Sequence, residues 1–146
     1  MKILEIDVGP CSFIARLETE RAPQTCKKFE ELLPFKNKLI QARWSGEASW
    51  IPLGKFNLGV AFENHTSHPS RGDILFYPGG YSEAEILFVY GSSCFSSKMG
   101  QLAGNHFLTI IEGQENLDAL GKLVLWEGAQ DIIFNISKEI KSPFDL

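Results

Sequence analysis

The 146-residue sequence has few of the features that mark disulfide-rich, membrane-spanning or secreted proteins. Its three cysteines, Cys11, Cys26 and Cys94, are odd in number and widely spaced, so they predict neither a disulfide framework nor a zinc or redox motif. No uncharged apolar run approaches the ~18 residues that a membrane span needs. The first residues, MKILEIDVGP, lack the long apolar segment of a signal peptide. We therefore expect a cytoplasmic protein without a membrane partner.

An excess of basic charge is also missing. The chain has 14 Lys and Arg against 18 Asp and Glu, a formal net charge of -4, and the basic residues are scattered. This pattern does not favour binding to a phosphate backbone, so we expect no nucleic-acid partner. Hydrophobic content of 44% and charged content of 22% are ordinary for a globular domain of this size. We expect one folded domain over residues 1–146.

Short runs of apolar or alternating residues, separated by glycine and proline, predict a mainly β fold. A helix is predicted to begin at Ala22-Pro23 and to stop before Pro34, and "ENLDALGK" predicts one helical turn. This pattern favours a closed barrel of many short strands, capped by one or two helices. The predicted strands are residues 1–6, 11–17, 39–44, 50–53, 74–77, 83–90, 107–111, 123–126 and 132–140.

Several segments resemble the cyclophilins in sequence and in order. "ARLETERAPQTCKKFEELL" is similar to their opening strand and helix, "RGDILFYPGG" to their Gly-Asp strand, and "GNHFLTI" and "LGKLV" to two later strands. A closer resemblance is to uncharacterised bacterial cyclophilin-like proteins, in which "ENHTSHP", "GDILFYPGG", "SEAEIL" and "AGNHFLTIIEG" recur in nearly this form. The resemblance implies a cyclophilin-like barrel of about eight strands with helical ends, and no established activity.

The resemblance makes Arg43 the counterpart of the catalytic arginine of prolyl isomerases. Ala48, Ile51, Leu108 and Leu117 stand where the family has most of its proline-pocket residues. Because prolyl isomerisation needs an apolar slot as well as a guanidinium group, we expect negligible turnover of X-Pro peptides. A peptidyl-prolyl isomerase with an altered pocket remains the alternative, as does an interaction module without chemistry.

Strand alternation predicts a polar group on the outer barrel face. It directs Ile86 and Phe88 inward and Glu83 and Glu85 outward, and over residues 39–44 it directs Arg43 outward and Trp44 inward. Trp50 is expected to wall a pocket or to close the barrel end. The alternative is a solvated strand face with ordinary surface ion pairs. The predicted ligand-binding residues are Gln41, Arg43, Trp50, Glu83, Glu85 and His106; Arg43, Glu83, Glu85 and His106 are also the candidates for catalysis.

The remaining histidines do not form a recognisable metal motif. His65 and His68, with Glu63 before them, lie in a probable loop, where spacing constrains ligand geometry poorly. We therefore predict no metal and no cofactor. The sequence favours a protein that binds, and in one version also transforms, a small polar metabolite on the outer barrel face. A homo-oligomer is compatible with the sequence.

Overall fold

The computed structural model describes residues 1–137, and strands account for most of this part of the chain. Their short lengths and frequent turns agree with the sequence pattern. The strands are β1 (Ile3–Val8), β2 (Cys11–Leu17), β3 (Phe35–Gln41), β4 (Gly46–Gly54), β5 (His65–Thr66), β6 (Asp73–Tyr77), β7 (Ala84–Ser93), β8 (Ser96–Ser97), β9 (Gly100–Gln101), β10 (Gly104–Glu112) and β11 (Gln130–Ile136).

Eight antiparallel strands form a closed barrel. They follow one another in the order β2, β1, β11, β3, β4, β7, β6, β10, and β10 pairs back with β2. Strand β5 pairs with β10 beyond this ring, and β8 and β9 form a separate small hairpin. The prediction of a mainly β, closed barrel of about eight strands is confirmed. Closure removes the exposed edges that an open sheet of this size would present.

Two helical segments lie against the strands. Helix α1 (Pro23–Glu30) begins at the Ala-Pro pair, as predicted, and ends at Glu30, before Pro34. The second segment, residues 114–127, contains α2 (Leu117–Lys122) and continues into a π-helical turn, Leu123–Glu127. The predicted strand at 123–126 is therefore wrong: no breaker separates its apolar residues from α2, and Gly128, with φ 88°, stops the helix instead. Within residues 1–137 no helix is long and apolar enough to cross a membrane.

The barrel interior is filled mainly by large apolar side chains. Ile86 and Phe88 of β7 belong to this core, as strand alternation predicted. Phe29 of α1 packs edge-on against Phe107 and Phe134, with ring centroids 5.1 and 5.2 Å away. Helix α1 thus closes the barrel through an aromatic cluster, whose edge-to-face geometry is the favourable one for such rings.

A second apolar cluster lies on the outer face of β4, β6 and β7. Leu75, Leu87 and Val89 alternate with the interior residues of their strands and are buried by Phe95, which is itself fully buried. The cause is visible in "ILFY" and "ILFVY", runs that are apolar at every position and so need cover on both faces. Backbone at Gly104 passes so close to Phe95 that a Cβ there would come within 2.7 Å of the ring. The loop after β7 therefore folds back onto the barrel wall.

Candidate functional site

The returning loop leaves a cleft between itself and the outer face of β4 and β7. The cleft encloses about 150 Å³. Because one water needs roughly 10–15 Å³ by this measure, a small molecule of several heavy atoms fits there. The side chains that bear on its chemistry are Arg43, Trp50, Glu83, Glu85, Ser97 and Lys98.

Glu85 is the buried acid of the cleft. On β7 it pairs with Pro52 of β4 and Tyr77 of β6, and its side chain follows the outward side of the strand. Glu85 is only 6% exposed, and no side chain or backbone group in residues 1–137 hydrogen-bonds to its carboxyl. Burial, with a smaller contribution from the charge of Glu83, raises its pKa to about 8. A carboxyl of this kind is mostly protonated at neutral pH.

Glu83 occupies the cleft in a different way. It is exposed, it precedes β7, and its carboxylate accepts a hydrogen bond from the backbone N–H of Gly54 at 3.1 Å. This bond ties the start of β7 to the end of β4. The Glu83 carboxylate is therefore hydrogen-bonded and solvated, whereas the neighbouring Glu85 carboxyl has no partner in the described chain.

Trp50 contributes an unpaired donor. Its ring lines the cleft from β4, and its Nε1–H is buried without a hydrogen-bond partner among the described residues. Leaving such a donor unpaired costs about 1–3 kcal/mol. Unpaired buried polar groups are rare in native proteins, and the Trp50 Nε1–H is one of them, at the same cleft as the unbonded Glu85 carboxyl.

Two basic side chains complete the lining. Arg43 lies on the bend after β3, and Lys98 lies in the turn between β8 and β9; neither is engaged in a hydrogen bond or ion pair within residues 1–137. The bend also explains why Trp44 is 57% exposed rather than buried as predicted: β3 ends at Gln41, so strand alternation does not reach residue 44.

Ser45 fixes the loop against the bend. Its hydroxyl donates to the carbonyl of Ser96 and accepts from the N–H of Ser96, both at 3.1 Å, and the N–H of Cys94 donates to its carbonyl at 3.0 Å. These bonds hold Arg43 and Lys98 on the same cleft although 55 positions separate them in the sequence. Sequence reasoning missed Ser45 and Ser96 as site residues, because nothing local in "WSGEAS" or "CFSSKMG" indicates this pairing.

Gln41 and His106 do not line the cleft. The Gln41 amide donates to the carbonyl of Gly46 at 3.1 Å and accepts from the Tyr90 hydroxyl at 2.5 Å, facing a wide groove at one end of the barrel. This placement differs from the prediction that Gln41 binds the same ligand as Arg43. The groove shows no unpaired buried group among the described residues.

His106 belongs to a β10 polar network, made of Arg16, Glu18, Asp73, His106 and Thr109. Its Nε2 lies 2.8 Å from the Thr109 hydroxyl and 3.3 Å from an Asp73 oxygen. The Thr109 hydroxyl donates to Glu18 at 3.0 Å, so it accepts from His106, whose Nε2 carries the proton. The prediction that His106 shares the cleft with Arg43 is corrected by this placement, two strands away from β7.

Glu18 shows what pairing does to a carboxylate on this barrel. Its burial favours the neutral form, but hydrogen bonds from Arg16 and Thr109 and the charge of Arg16 outweigh it and lower its pKa. Arg16 reaches the Glu18 carboxylate at 2.8 Å. Pairing thus gives Glu18 a lowered pKa, whereas the unpaired Glu85 has a pKa raised by burial and by the charge of Glu83.

Glu63 and the two loop histidines are not gathered into one site. The Glu63 carboxylate accepts hydrogen bonds from the N–H and hydroxyl of Thr25, at 2.6 and 2.7 Å, and so satisfies the first turn of α1. His65 and His68 are exposed. In the described part of the chain, no group of three or more His, Cys, Asp or Glu side chains could hold a metal ion.

Two solved structures resemble this fold. The structure of McbB in complex with tryptophan matches with a TM-score of 0.67 and 16% identity, over 97% of this chain and 47% of McbB, so this chain spans about half the length of that protein. The solution structure of the hypothetical protein AF2241 from Archaeoglobus fulgidus matches with a TM-score of 0.57 and 20% identity, over 93% of this chain and 95% of AF2241. At these identities the likeness concerns the fold alone.

Sequence comparison gives the family. No curated protein matches the chain significantly. Residues 4–136, nearly the whole barrel, match the sequence profile of a family described as "Protein of unknown function (DUF3830)". The chain therefore belongs to the DUF3830 family.

Proposed function

We propose that this protein is a cyclophilin-like barrel, a single domain over residues 1–146, that binds a small polar molecule in the cleft lined by Arg43, Trp50, Glu83 and Glu85. One observation carries the proposal: Glu85, only 6% exposed, lines the cleft, and its carboxyl has no hydrogen-bond or ion-pair partner within residues 1–137. Burying an unpaired polar group costs free energy, and such violations of packing rules concentrate at functional sites. A ligand with a hydrogen-bonding or charged group would supply the missing partner.

The surroundings of Glu85 support a ligand rather than a purely structural role. The cleft combines two tryptophans, two basic side chains that form no ion pair within residues 1–137, and serine hydroxyls around a space of about 150 Å³. Binding pockets have this mixture of apolar walls and a few polar groups. McbB, of which 47% matches this fold, has been solved in complex with tryptophan, which is compatible with a small molecule as the ligand.

The raised pKa of Glu85 makes proton transfer the first reaction to test. A carboxyl whose pKa is about 8 holds its proton at neutral pH and can give it up with little cost. If the bound molecule is transformed, proton transfer to or from Glu85 is the step that the cleft is equipped for.

The isomerase alternative has less support. Ile51, Leu108 and Leu117, at three of the positions for proline-pocket residues, are fully buried in the barrel core, and Ala48 is buried in the outer cluster. None of the four lines the cleft beside Arg43. The positions that correspond to the family's proline pocket therefore supply no apolar slot next to the Arg43 guanidinium.

A thermal-shift screen tests the proposal. A library of small polar molecules would be applied to the wild type, to Glu85→Gln and to Glu127→Gln, a matched control because Glu127 is exposed and outside the cleft. A ligand at about a hundred times its Kd stabilises the protein by about 2.7 kcal/mol, a shift of several degrees. We expect ligands that shift the wild type and the control but not Glu85→Gln. If every hit shifts all three proteins equally, the cleft is not the binding site.

A further inference from the structure

The cleft combines acidic and basic side chains that do not pair with one another. Arg43 and Lys98 share it with Glu83 and Glu85, yet no ion pair within 4 Å forms between the two sets. Elsewhere on the described chain some opposite charges do meet: Lys2 pairs with Glu30, and Arg16 with Glu18. The acidic and basic side chains of the cleft are therefore without ion-pair partners in the described chain.

The four side chains differ in depth. Glu85 is 6% exposed, whereas Arg43, Glu83 and Lys98 are all exposed. Glu85 is mostly protonated without a ligand; a cationic ligand group placed against it would displace the proton and pair with the carboxylate, whereas an anionic group would keep Glu85 neutral. At the rim, the planar guanidinium of Arg43 is suited to a carboxylate, which it can bind through two parallel hydrogen bonds.

Ligands of three charge types would satisfy this arrangement to different degrees. A simple anion would use the rim cations and keep Glu85 in its neutral form. A simple amine would pair with Glu85 and leave Arg43 and Lys98 without a partner. A ligand with both groups would pair with an ionised Glu85 and with the rim cations at once, and charge complementarity of this kind determines specificity more than raw affinity.

We propose that the ligand of the cleft is a small zwitterion of the amino-acid class, with its ammonium group on Glu85 and its carboxylate on Arg43 and Lys98. This inference rests on the proposed function, whose site it shares. Trp44 and Trp50 border the same space and offer aromatic surface to an apolar or cationic part of the ligand. Tryptophan, with which McbB was solved, is a zwitterion of this class.

Proton release would accompany such binding. A neutral Glu85 loses its proton when an ammonium group arrives, because the cation stabilises the carboxylate form. Below pH 8 the complex should therefore release up to about one proton per ligand. Isothermal titration calorimetry at pH 7, in buffers of different ionisation enthalpy, measures this number directly. Glu85→Gln, which cannot ionise, should release no proton from this position.

Three probes separate the two halves of the ligand: L-tryptophan, tryptamine, which lacks the carboxylate, and indole-3-propionate, which lacks the ammonium group. We expect the wild type and the Glu127→Gln control to bind L-tryptophan about tenfold or more tightly than either analogue, the effect of one charged hydrogen bond. In Glu85→Gln, L-tryptophan should lose its advantage over indole-3-propionate. In Arg43→Ala, where Lys98 is the remaining partner of the carboxylate, its advantage over tryptamine should shrink. The other common amino acids would be tested in the same way, in case the indole ring is too large.

The outcomes distinguish this inference from the proposed function. If an analogue binds the wild type as tightly as the amino acid does, the zwitterion is excluded. If no amino acid binds but a library compound does so through Glu85, the zwitterion is again excluded and the binding site stands. If no ligand depends on Glu85, both proposals fail. Amino-acid binding without proton release would overturn the assignment of the ammonium group to Glu85.

Discussion

Two polar regions of the outer barrel face, the cleft and the β10 polar network, contain similar residues in opposite states. Each has partly or fully buried carboxylates and a basic side chain. In the network, Glu18 is bonded to Arg16 and Thr109, and His106 to Thr109. In the cleft, Glu85, Arg43 and the Trp50 N–H are all without partners in the described chain. The difference indicates that the network stabilises the fold, and it fits the proposal that the cleft binds a ligand.

The sharpest test of this contrast is the pH dependence of stability. The Glu85 carboxyl ionises near 4.5 when unfolded and near 8 when folded, so the folded state holds one extra proton between these values. Stability should therefore fall as pH rises from about 5 to 8, by about 1.4 kcal/mol per pH unit, which amounts to several kcal/mol. Urea unfolding at each pH would show the wild type and Glu85→Gln equally stable near pH 5 and the variant more stable at pH 8.

The control for this experiment is Glu127→Gln, which should follow the wild type throughout, since its carboxylate is exposed. Other titrating groups are common to all three proteins and cancel in the comparison. Parallel curves for the wild type and Glu85→Gln would mean that Glu85 ionises normally, and the contrast between the regions would then disappear.

Removing the hydroxyl at the centre of the network should also have a clear effect. Thr109→Val takes away the acceptor for His106 and the donor to Glu18, and we expect a loss of about 1–3 kcal/mol in unfolding free energy. Thr109→Ser keeps the hydroxyl and should retain most of the stability. Chemical denaturation measures both variants. Ligand binding at the cleft should be unchanged in Thr109→Val once the protein is folded; a change as large as that of Glu85→Gln would show that the regions act together.

A smaller effect is expected at Glu83. Its charge contributes, after burial, to the raised pKa of Glu85. Glu83→Gln should therefore lower the Glu85 pKa modestly and move the pH profile of stability toward acid, by less than about one unit for a solvent-exposed charge. The Gln amide oxygen can still accept from the Gly54 N–H, so the fold should be kept. A profile identical to the wild type would limit the cause at Glu85 to burial.

The smallest effect concerns Arg43. Because its side chain is exposed and unpaired, Arg43→Ala should change the unfolding free energy by no more than about 0.5 kcal/mol. Denaturation of this variant beside Thr109→Val compares an unpaired with a paired position directly. A large loss of stability would show that Arg43 has a structural role and would weaken its assignment to a ligand.

Local patterns predicted much of the barrel. Glycine and proline between the apolar runs predicted turns, and between β6 and β7 the chain does turn at Pro78-Gly79-Gly80, where both glycines adopt positive φ, 94° and 111°, which glycine does at little cost. The inward direction of Ile86 and Phe88 followed from the period of a strand. The strand end at Gln41 was not predictable in this way, since "QARW" continues the alternation while the chain bends.

The site was predictable only where one strand supplied it. Strand alternation over residues 83–90 predicted that Glu83 and Glu85 lie on the outer face, and the cyclophilin resemblance made Arg43 a candidate. Ser45 and Ser96 could not be predicted, because the hydrogen bonds between them join segments distant in sequence. The uninterrupted apolar runs of β6 and β7 did carry one further signal: they require a cover on the outer face, and the loop after β7 is the cover.

That cover has a kinetic consequence. Phe95 is fully buried and its N–H donates to the carbonyl of Ser67 at 2.8 Å, so the segment that presents Ser96 and Lys98 is fixed before any ligand arrives. The conformational entropy of this segment is lost during folding, so ordering it does not reduce the affinity for a ligand. Ligand capture should then proceed in one step without waiting for a loop to close. Differences in affinity among related ligands should accordingly reside in how long each stays bound.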